Sequence, residues 1–150
     1  MGNVLAFTPL GPAAGQLLAG LHVFWLVLVA AVVKNRGAAT VSGALIGVIG
    51  MVLPNHLGLI VFFMALLEGV VVDLALLPFK RITQPAALFA AGLSSASNVL
   101  VLQAFQVFPV SFPLGVLAAM YGASFFSGLM FGGYLSVRSL EVLKQFSYRF

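Results

Sequence analysis

The sequence predicts an all-α integral membrane protein, because its composition, its long apolar segments and its turn residues all favour helices inside a bilayer. Hydrophobic residues make up 62% of the 150-residue chain, and charged residues make up only 7%. Soluble domains carry about 25% charged residues. Three acids and seven strong bases are too few to cover a soluble surface of this size. The length allows a single transmembrane helical domain over residues 1–150.

Five apolar segments are predicted to span the bilayer, and turns rich in Asn, Gly and Pro separate them. A spanning helix needs about 20 residues, so the second segment lies at the short end. Short segments of alternating hydrophobicity, which are typical of outer-membrane barrels, do not occur. The predicted spans cover residues 16–34, 39–53, 57–77, 85–106 and 114–137, and the last is expected to continue as an amphipathic tail towards Leu143.

The basic residues predict the orientation of the chain. All seven Lys and Arg residues follow the first, third or fifth span, and none follows the second or fourth. Because Lys-rich and Arg-rich loops stay in the cytoplasm, we expect a cytoplasmic C-terminus and, with five spans, an outside N-terminus. The orientation of the loops in a lipid membrane is sufficient to explain the basic character of the chain. No nucleic acid is therefore expected as a partner.

The orientation of the N-terminus leaves two alternatives open. Residues 1–15 are mildly apolar and rich in Gly and Pro, without the basic start of a signal peptide. We expect that a helix precedes this sequence in the full protein, which would then have six spans with both ends inside. The alternative is a natural five-span protein with a short translocated tail.

Catalytic and cofactor signatures are absent from the sequence. It has no zinc-protease motif, nucleophile elbow, phosphate loop or dinucleotide fingerprint, so neither an enzyme nor a cofactor is expected. It also has no cysteine, which excludes disulfides and thiolate metal sites. The function must therefore be sought in the few polar residues inside the spans.

Glu68 is the strongest candidate for a functional residue. It lies near the middle of the third span, where a carboxylate needs a proton, a partner or water. Asp73 follows five residues later, so the two carboxylates point roughly 140° apart on a helix and do not form a catalytic or metal-binding pair. We expect Glu68 to contact a ligand and Asp73 to be structural, with a cytoplasmic Lys or Arg as a possible partner.

Further polar and aromatic residues lie towards the outer ends of the spans. Together with Glu68 they predict a pocket that opens to the outside, with aromatic walls and a few polar groups that orient a ligand. An interfacial aromatic belt with helix-capping amides is the alternative interpretation, above all for Trp25 and Tyr121. The candidates for ligand binding besides Glu68 are His22, Trp25, Asn98, Gln103 and Tyr121.

Small residues recur at the spacing that lets membrane helices approach closely. Most of these stripes are expected to pack inside the protein, although one of them could dock a partner subunit. The stripes are Gly43 and Gly47 in the second span, Ala87, Ala91 and Ser95 in the fourth, and Ser124, Gly128, Gly132 and Ser136 in the fifth.

Three short motifs resemble a known family. They are Gly11-Pro12 before the first span, residues 36–43 (RGAATVSG) at the start of the second, and Glu68-Gly69 followed by Asp73 in the third. In this order and spacing they resemble the YkoE-type S-components of energy-coupling factor (ECF) transporters, which are associated with thiamine or its hydroxymethylpyrimidine precursor.

The resemblance implies a six-helix bundle, here without its first helix, in the plasma membrane of a prokaryote. Such a subunit captures a vitamin from outside and docks onto a transmembrane coupling subunit with two cytoplasmic ATPases. A pyrimidine ring would stack on Trp25 or Tyr121, and its nitrogen groups would bond to Glu68 and Asn98. A cationic thiazolium would favour a carboxylate or an aromatic face.

Two other classes of function remain open from the sequence. An assembly subunit without a ligand of its own would explain the small-residue stripes, but it would not explain Glu68 and the outer polar residues. A small channel or proton-coupled carrier could use Glu68, although no convincing internal repeat supports it.

Overall fold

The computed structural model describes residues 16, 19–53, 58–79, 82–107 and 113–147, and these ranges contain helices and turns but no strand. The all-α prediction is confirmed. The helices are α1 (Ala19–Val33), α2 (Ala38–Val52), α3 (Leu59–Leu76), α4 (Gln84–Ala104), α5 (Leu114–Ser127), a π-helical segment (Gly128–Tyr134) and α6 (Leu135–Ser147).

Three of the helices are long and apolar enough to cross a membrane. They are α3, α4 and the continuous helix from Leu114 to Phe146, in which α5, the π-helical segment and α6 follow one another over 33 residues. The helices α1 and α2 are apolar but have 15 residues each, which corresponds to about 22 Å. The second span is therefore short, as predicted. The predicted amphipathic tail is a helix, and it runs to Ser147.

Proline and glycine set several helix boundaries. Gly37 precedes α2 with a φ of 91°, a left-handed conformation that suits glycine. Pro85 lies in the first turn of α4, where its missing N–H costs no helical hydrogen bond. Pro113 immediately precedes α5 in the same way. Gly37 and Pro113 belong to the turns that separate the predicted spans, and Pro85 is the predicted start of the fourth span.

The helix α4 is the centre of the bundle. It is the most buried of the three long helices. It packs against α3 on one side and against the π-helical segment and α5 on another, and α1 also contacts it. The helix α2 lies at the periphery and packs mainly on α3. Side chains on α1, α3 and α4 can therefore meet inside the protein.

Glycines bring the backbones of α2 and α3 into direct contact. A Cβ atom on Gly43 would lie 2.3 Å from the carbonyl oxygen of Ala65, and one on Gly69 would lie 2.4 Å from that of Ala39. Neither position has room for a side chain. The predicted stripe of Gly43 and Gly47 is thus part of an internal interface.

The other two predicted stripes pack against each other, one on α4 and one on the continuous helix from Leu114 to Phe146. A Cβ on Gly128 would lie 2.4 Å from the carbonyl oxygen of Ala91. The Ser124 hydroxyl donates to the Ser95 carbonyl at 2.5 Å and lies 3.1 Å from the Ser95 hydroxyl. Close to the same interface, the Ser136 hydroxyl donates to a carbonyl of α1 at 2.9 Å. All the predicted stripes therefore serve internal packing.

Candidate ligand-binding site

Glu68 is the centre of a buried polar cluster. It lies in the middle of α3, and its side chain is 0% exposed. The surrounding helix is otherwise strongly apolar, from Leu59 to Leu67 and again from Val70 to Val72. A carboxylate in such surroundings is costly unless other groups hydrogen-bond to it. Its partners therefore define the site.

His22 and Asn98 each hold one carboxylate oxygen of Glu68. The Nδ1 atom of His22, on α1, contacts Oε2. The Nδ2 group of Asn98, on α4, donates to Oε1. An imidazole and a carboxyl group that share a proton form a pair without net charge, which lowers the cost of burying both in a membrane protein. The structure thus brings together three of the six predicted site residues.

Ser94 adds a third contact to Glu68 that the sequence analysis missed. Its hydroxyl donates to the backbone carbonyl of Glu68 at 2.9 Å, and its side chain is fully buried. Residues four positions apart lie on the same face of a helix, so the spacing between Ser94 and Asn98 was the available signal. The contact fixes α3 against α4 at the level of the carboxylate.

One polar atom of the cluster is unpaired. Within the part of the chain that the structure describes, Oδ1 of Asn98 is buried and accepts no hydrogen bond. Asn98 itself is only 4% exposed. A buried acceptor without a donor costs about 1–3 kcal/mol. The amide is therefore ready to accept a hydrogen bond next to the carboxylate of Glu68.

Trp25 lies one turn after His22 but does not join the cluster. Its side chain is 56% exposed, and its ring contacts the ring of Phe24 edge-on, with centroids 4.9 Å apart. Helical geometry places Trp25 roughly 160° from the middle of the buried face of α1. A role for Trp25 in stacking a ligand stays a prediction. That buried face consists of Val23, Leu26, Val27 and Ala30.

Gln103 and Tyr121 form a separate polar pair between α4 and α5. The Tyr121 hydroxyl donates to Oε1 of Gln103 at 2.6 Å. Gln103 follows Asn98 by five residues, so the two side chains leave α4 about 140° apart. The structure therefore does not place this pair beside Glu68. Whether the pair contacts a ligand stays a prediction.

Among the described residues, one cleft lies at the opposite end of the bundle from the predicted pocket. It has a volume of about 200 Å³ and lies between α1, α4 and α6. The basic residues predict this end to be cytoplasmic. Glu68 is not among the lining residues, which are Val27, Ala31, Ile82, Gln84, Ala87, Ser136, Val137, Leu140, Glu141 and Lys144.

Asp73 joins two helices, while Lys80 and Arg81, the basic residues that follow its span, lie outside the described residues. The sequence suggested a Lys or Arg, whereas in the described ranges its carboxylate accepts hydrogen bonds from the first turn of α2. These ranges also contain no group of three His, Cys, Asp or Glu side chains that could hold a metal ion. Among the carboxylates of the described residues, Glu68 is the one that is fully buried.

These features define a class: a multi-pass helical membrane protein with a buried polar cluster where α1, α3 and α4 meet. Residues 1–97 match the family described as the permease component of an ABC-type cobalt transport system, and the chain belongs to this family. It is therefore a membrane component of an ABC-type transporter, a class that works with ATPase and other membrane subunits.

The family match covers α1 to α3 and most of α4. It includes His22 and Glu68 and ends one residue before Asn98. A comparison with curated proteins and a comparison with solved structures found no match.

Proposed function

We propose that this chain is the substrate-capture subunit, the S-component, of an ECF-type transporter that takes up thiamine or its hydroxymethylpyrimidine precursor. The observation that carries the proposal is the buried Glu68, whose two oxygens are held by His22 and Asn98. A carboxylate inside a transporter subunit marks a substrate pathway more often than a packing contact.

The chemistry of the cluster fits an aminopyrimidine. Such a ring presents an amino group and ring nitrogens on one edge, and Glu68 with Oδ1 of Asn98 offers two neighbouring acceptors for its N–H groups. Hydrogen bonds to a charged group contribute about 1.5–3 kcal/mol each. The positive charge of thiamine would in addition balance the carboxylate. These features support a cationic or N–H-rich organic substrate.

The same proposal includes the orientation and the partners of the subunit. The cluster lies closer to the outer end of α1 and α4, as the basic residues orient the chain, and the C-terminus is cytoplasmic. The cell membrane would be that of a prokaryote. A transmembrane coupling subunit and two cytoplasmic ATPases would supply the energy for release to the inside.

The deciding experiment is calorimetric titration of the detergent-purified protein with thiamine and, separately, with hydroxymethylpyrimidine. We expect saturable binding that falls at least tenfold in Glu68→Gln, because the variant loses a charge-assisted hydrogen bond. Glu141→Gln is the matched control, since Glu141 is an exposed carboxylate paired with Arg138. Equal losses in both variants would show that the effect is not specific to the cluster.

Cobalt is the second candidate, because the description of the matched family names cobalt transport. The same titration with Co²⁺ separates the two. Tight Co²⁺ binding without a response to either organic compound would overturn the proposed substrate class. Binding of none of the three would favour an assembly subunit.

A further inference from the structure

Both carboxylate oxygens of Glu68 are already occupied by side chains of the protein itself. The carboxylate is also completely buried. Each carboxylate oxygen can accept a second hydrogen bond, but because no part of the group is exposed, a ligand that contacts it must move a residue that covers it. The two candidates for displacement are His22 and Asn98, and their surroundings differ.

Asn98 is fixed from several sides. It is 4% exposed and belongs to the most buried stretch of α4, where the neighbouring Ser97, Ser94 and Ser95 are buried as well. The Ser97 hydroxyl donates to the carbonyl of Ser94 at 2.6 Å, within the same turn of α4. Asn98 has no free path away from Glu68.

His22 is less enclosed than Asn98. Its side chain is 36% exposed, in contrast to 0% for Glu68. It lies in the first turns of α1, about 100° away from the middle of the buried face of that helix. A rotation about its side-chain torsions takes the imidazole outward without moving the backbone, because staggered rotamers interconvert easily at an exposed position.

We propose that His22 is a displaceable placeholder: in the ligand-free protein its imidazole occupies the position on Oε2 of Glu68 that a cationic or N–H-donating substrate takes on binding. The imidazole turns outward when the substrate enters, and Asn98 stays in place and contributes its unpaired Oδ1. His22 is thus a positioning residue that keeps the buried carboxylate neutralised between transport cycles. This inference rests on the proposed capture of such a substrate by Glu68.

The test follows the reactivity of His22 towards diethyl pyrocarbonate, which modifies accessible imidazoles. Peptide mapping distinguishes His22 from His56, the only other histidine of the chain, so no substitution is needed and His56 is an internal control. With saturating thiamine we expect the modification rate of His22 to rise several-fold while that of His56 stays constant. In Glu68→Gln the rate at His22 should be high even without thiamine.

Ligands normally slow the modification of residues that they cover, so a faster modification of His22 with thiamine bound would distinguish displacement from direct contact. If calorimetry confirms thiamine binding and the reaction at His22 is slower or unchanged, the proposed displacement of His22 is wrong. The proposed function would remain intact. If calorimetry detects no binding of thiamine or hydroxymethylpyrimidine, the proposed function fails and the placeholder fails with it.

A substitution gives a second, independent readout. His22→Gln replaces a side chain that can carry a positive charge beside the carboxylate by one that cannot, and it retains an N–H donor. We expect tighter binding of cationic thiamine, by roughly tenfold for one lost charge-assisted contact, and a smaller gain for the uncharged hydroxymethylpyrimidine. If His22 instead contacts the ligand directly, both compounds bind more weakly in the variant, and the inference is wrong.

Discussion

The carboxylate of Asp73 on α3 caps α2 through Thr40. Its Oδ2 accepts one hydrogen bond from the Thr40 backbone N–H at 2.7 Å and another from the Thr40 hydroxyl at 2.6 Å. The first turn of a helix has unsatisfied N–H groups, and its partial positive charge favours a carboxylate. Gly37, at the N-cap position, has no side chain that could fill this role. A residue of the neighbouring helix therefore provides the cap.

Removal of this cap should destabilise the protein without changing the ligand cluster. For Asp73→Ala we expect a loss of about 1–2 kcal/mol, the usual value of an N-terminal cap, and a lower melting temperature in mild detergent. Glu141→Gln is the control, because its pair with Arg138 is exposed to solvent and contributes little to stability. An unchanged melting temperature in Asp73→Ala would contradict the capping role.

The contact between α2 and α3 should tolerate no side chain at Gly43. In Gly43→Ala the new methyl group would lie 2.3 Å from the backbone oxygen of Ala65, so the helices must separate. Overpacking of this kind costs about 1–3 kcal/mol. Gly122→Ala is the matched control, since a Cβ there meets no atom within 4 Å.

Relative to the natural protein, Gly43→Ala should lower the melting temperature, whereas Gly122→Ala should leave it unchanged or raise it slightly. Gly122→Ala should leave the protein as stable as before or slightly more stable, because alanine favours a helix by up to about 1 kcal/mol over glycine. Equal destabilisation by both substitutions would mean that the close approach at Gly43 does not limit the packing.

The sequence predicted the parts of this molecule that depend on hydrophobicity and spacing. Long apolar segments and the turn residues between them predict the helices and their approximate bounds. The spacing of the small residues predicts that they pack against neighbouring helices. Glu68 was found because a carboxylate within a span needs a partner. The sequence also placed His22 and Asn98 towards the outer ends of their spans, and both side chains contact Glu68 in the structure.

Three features required the structure, because they depend on the rotation of helices about their axes and on local backbone geometry. The direction of Trp25 away from the cluster follows from the orientation that packing gives α1. The cap at Asp73 joins residues more than 30 positions apart, and sequence spacing alone does not show which helices are neighbours. The π-helical segment Gly128–Tyr134 has no signal that distinguishes it from an α-helix.

The pair of Tyr121 and Gln103 offers a test of how far the binding site extends. In Tyr121→Phe the ring remains and only the hydroxyl that donates to Gln103 at 2.6 Å is lost. Because this pair lies on another face of α4 than Asn98, we expect thiamine affinity to change less than about twofold, with a loss of stability of about 1 kcal/mol. A large loss of affinity at unchanged stability would place the pair in the site.

The orientation of the chain can be measured directly, because the natural sequence has no cysteine. Gln106→Cys and Lys144→Cys each introduce one thiol at an exposed position, at opposite ends of the bundle. The distribution of basic residues predicts that Gln106 faces the outside and Lys144 the cytoplasm. In intact cells, a membrane-impermeant maleimide should label the thiol at position 106 and should reach the one at 144 only after the cells are opened. The reverse labelling pattern would show the opposite orientation in the membrane. His22 would then lie near the inner surface, where it could not take part in capturing a substrate from outside.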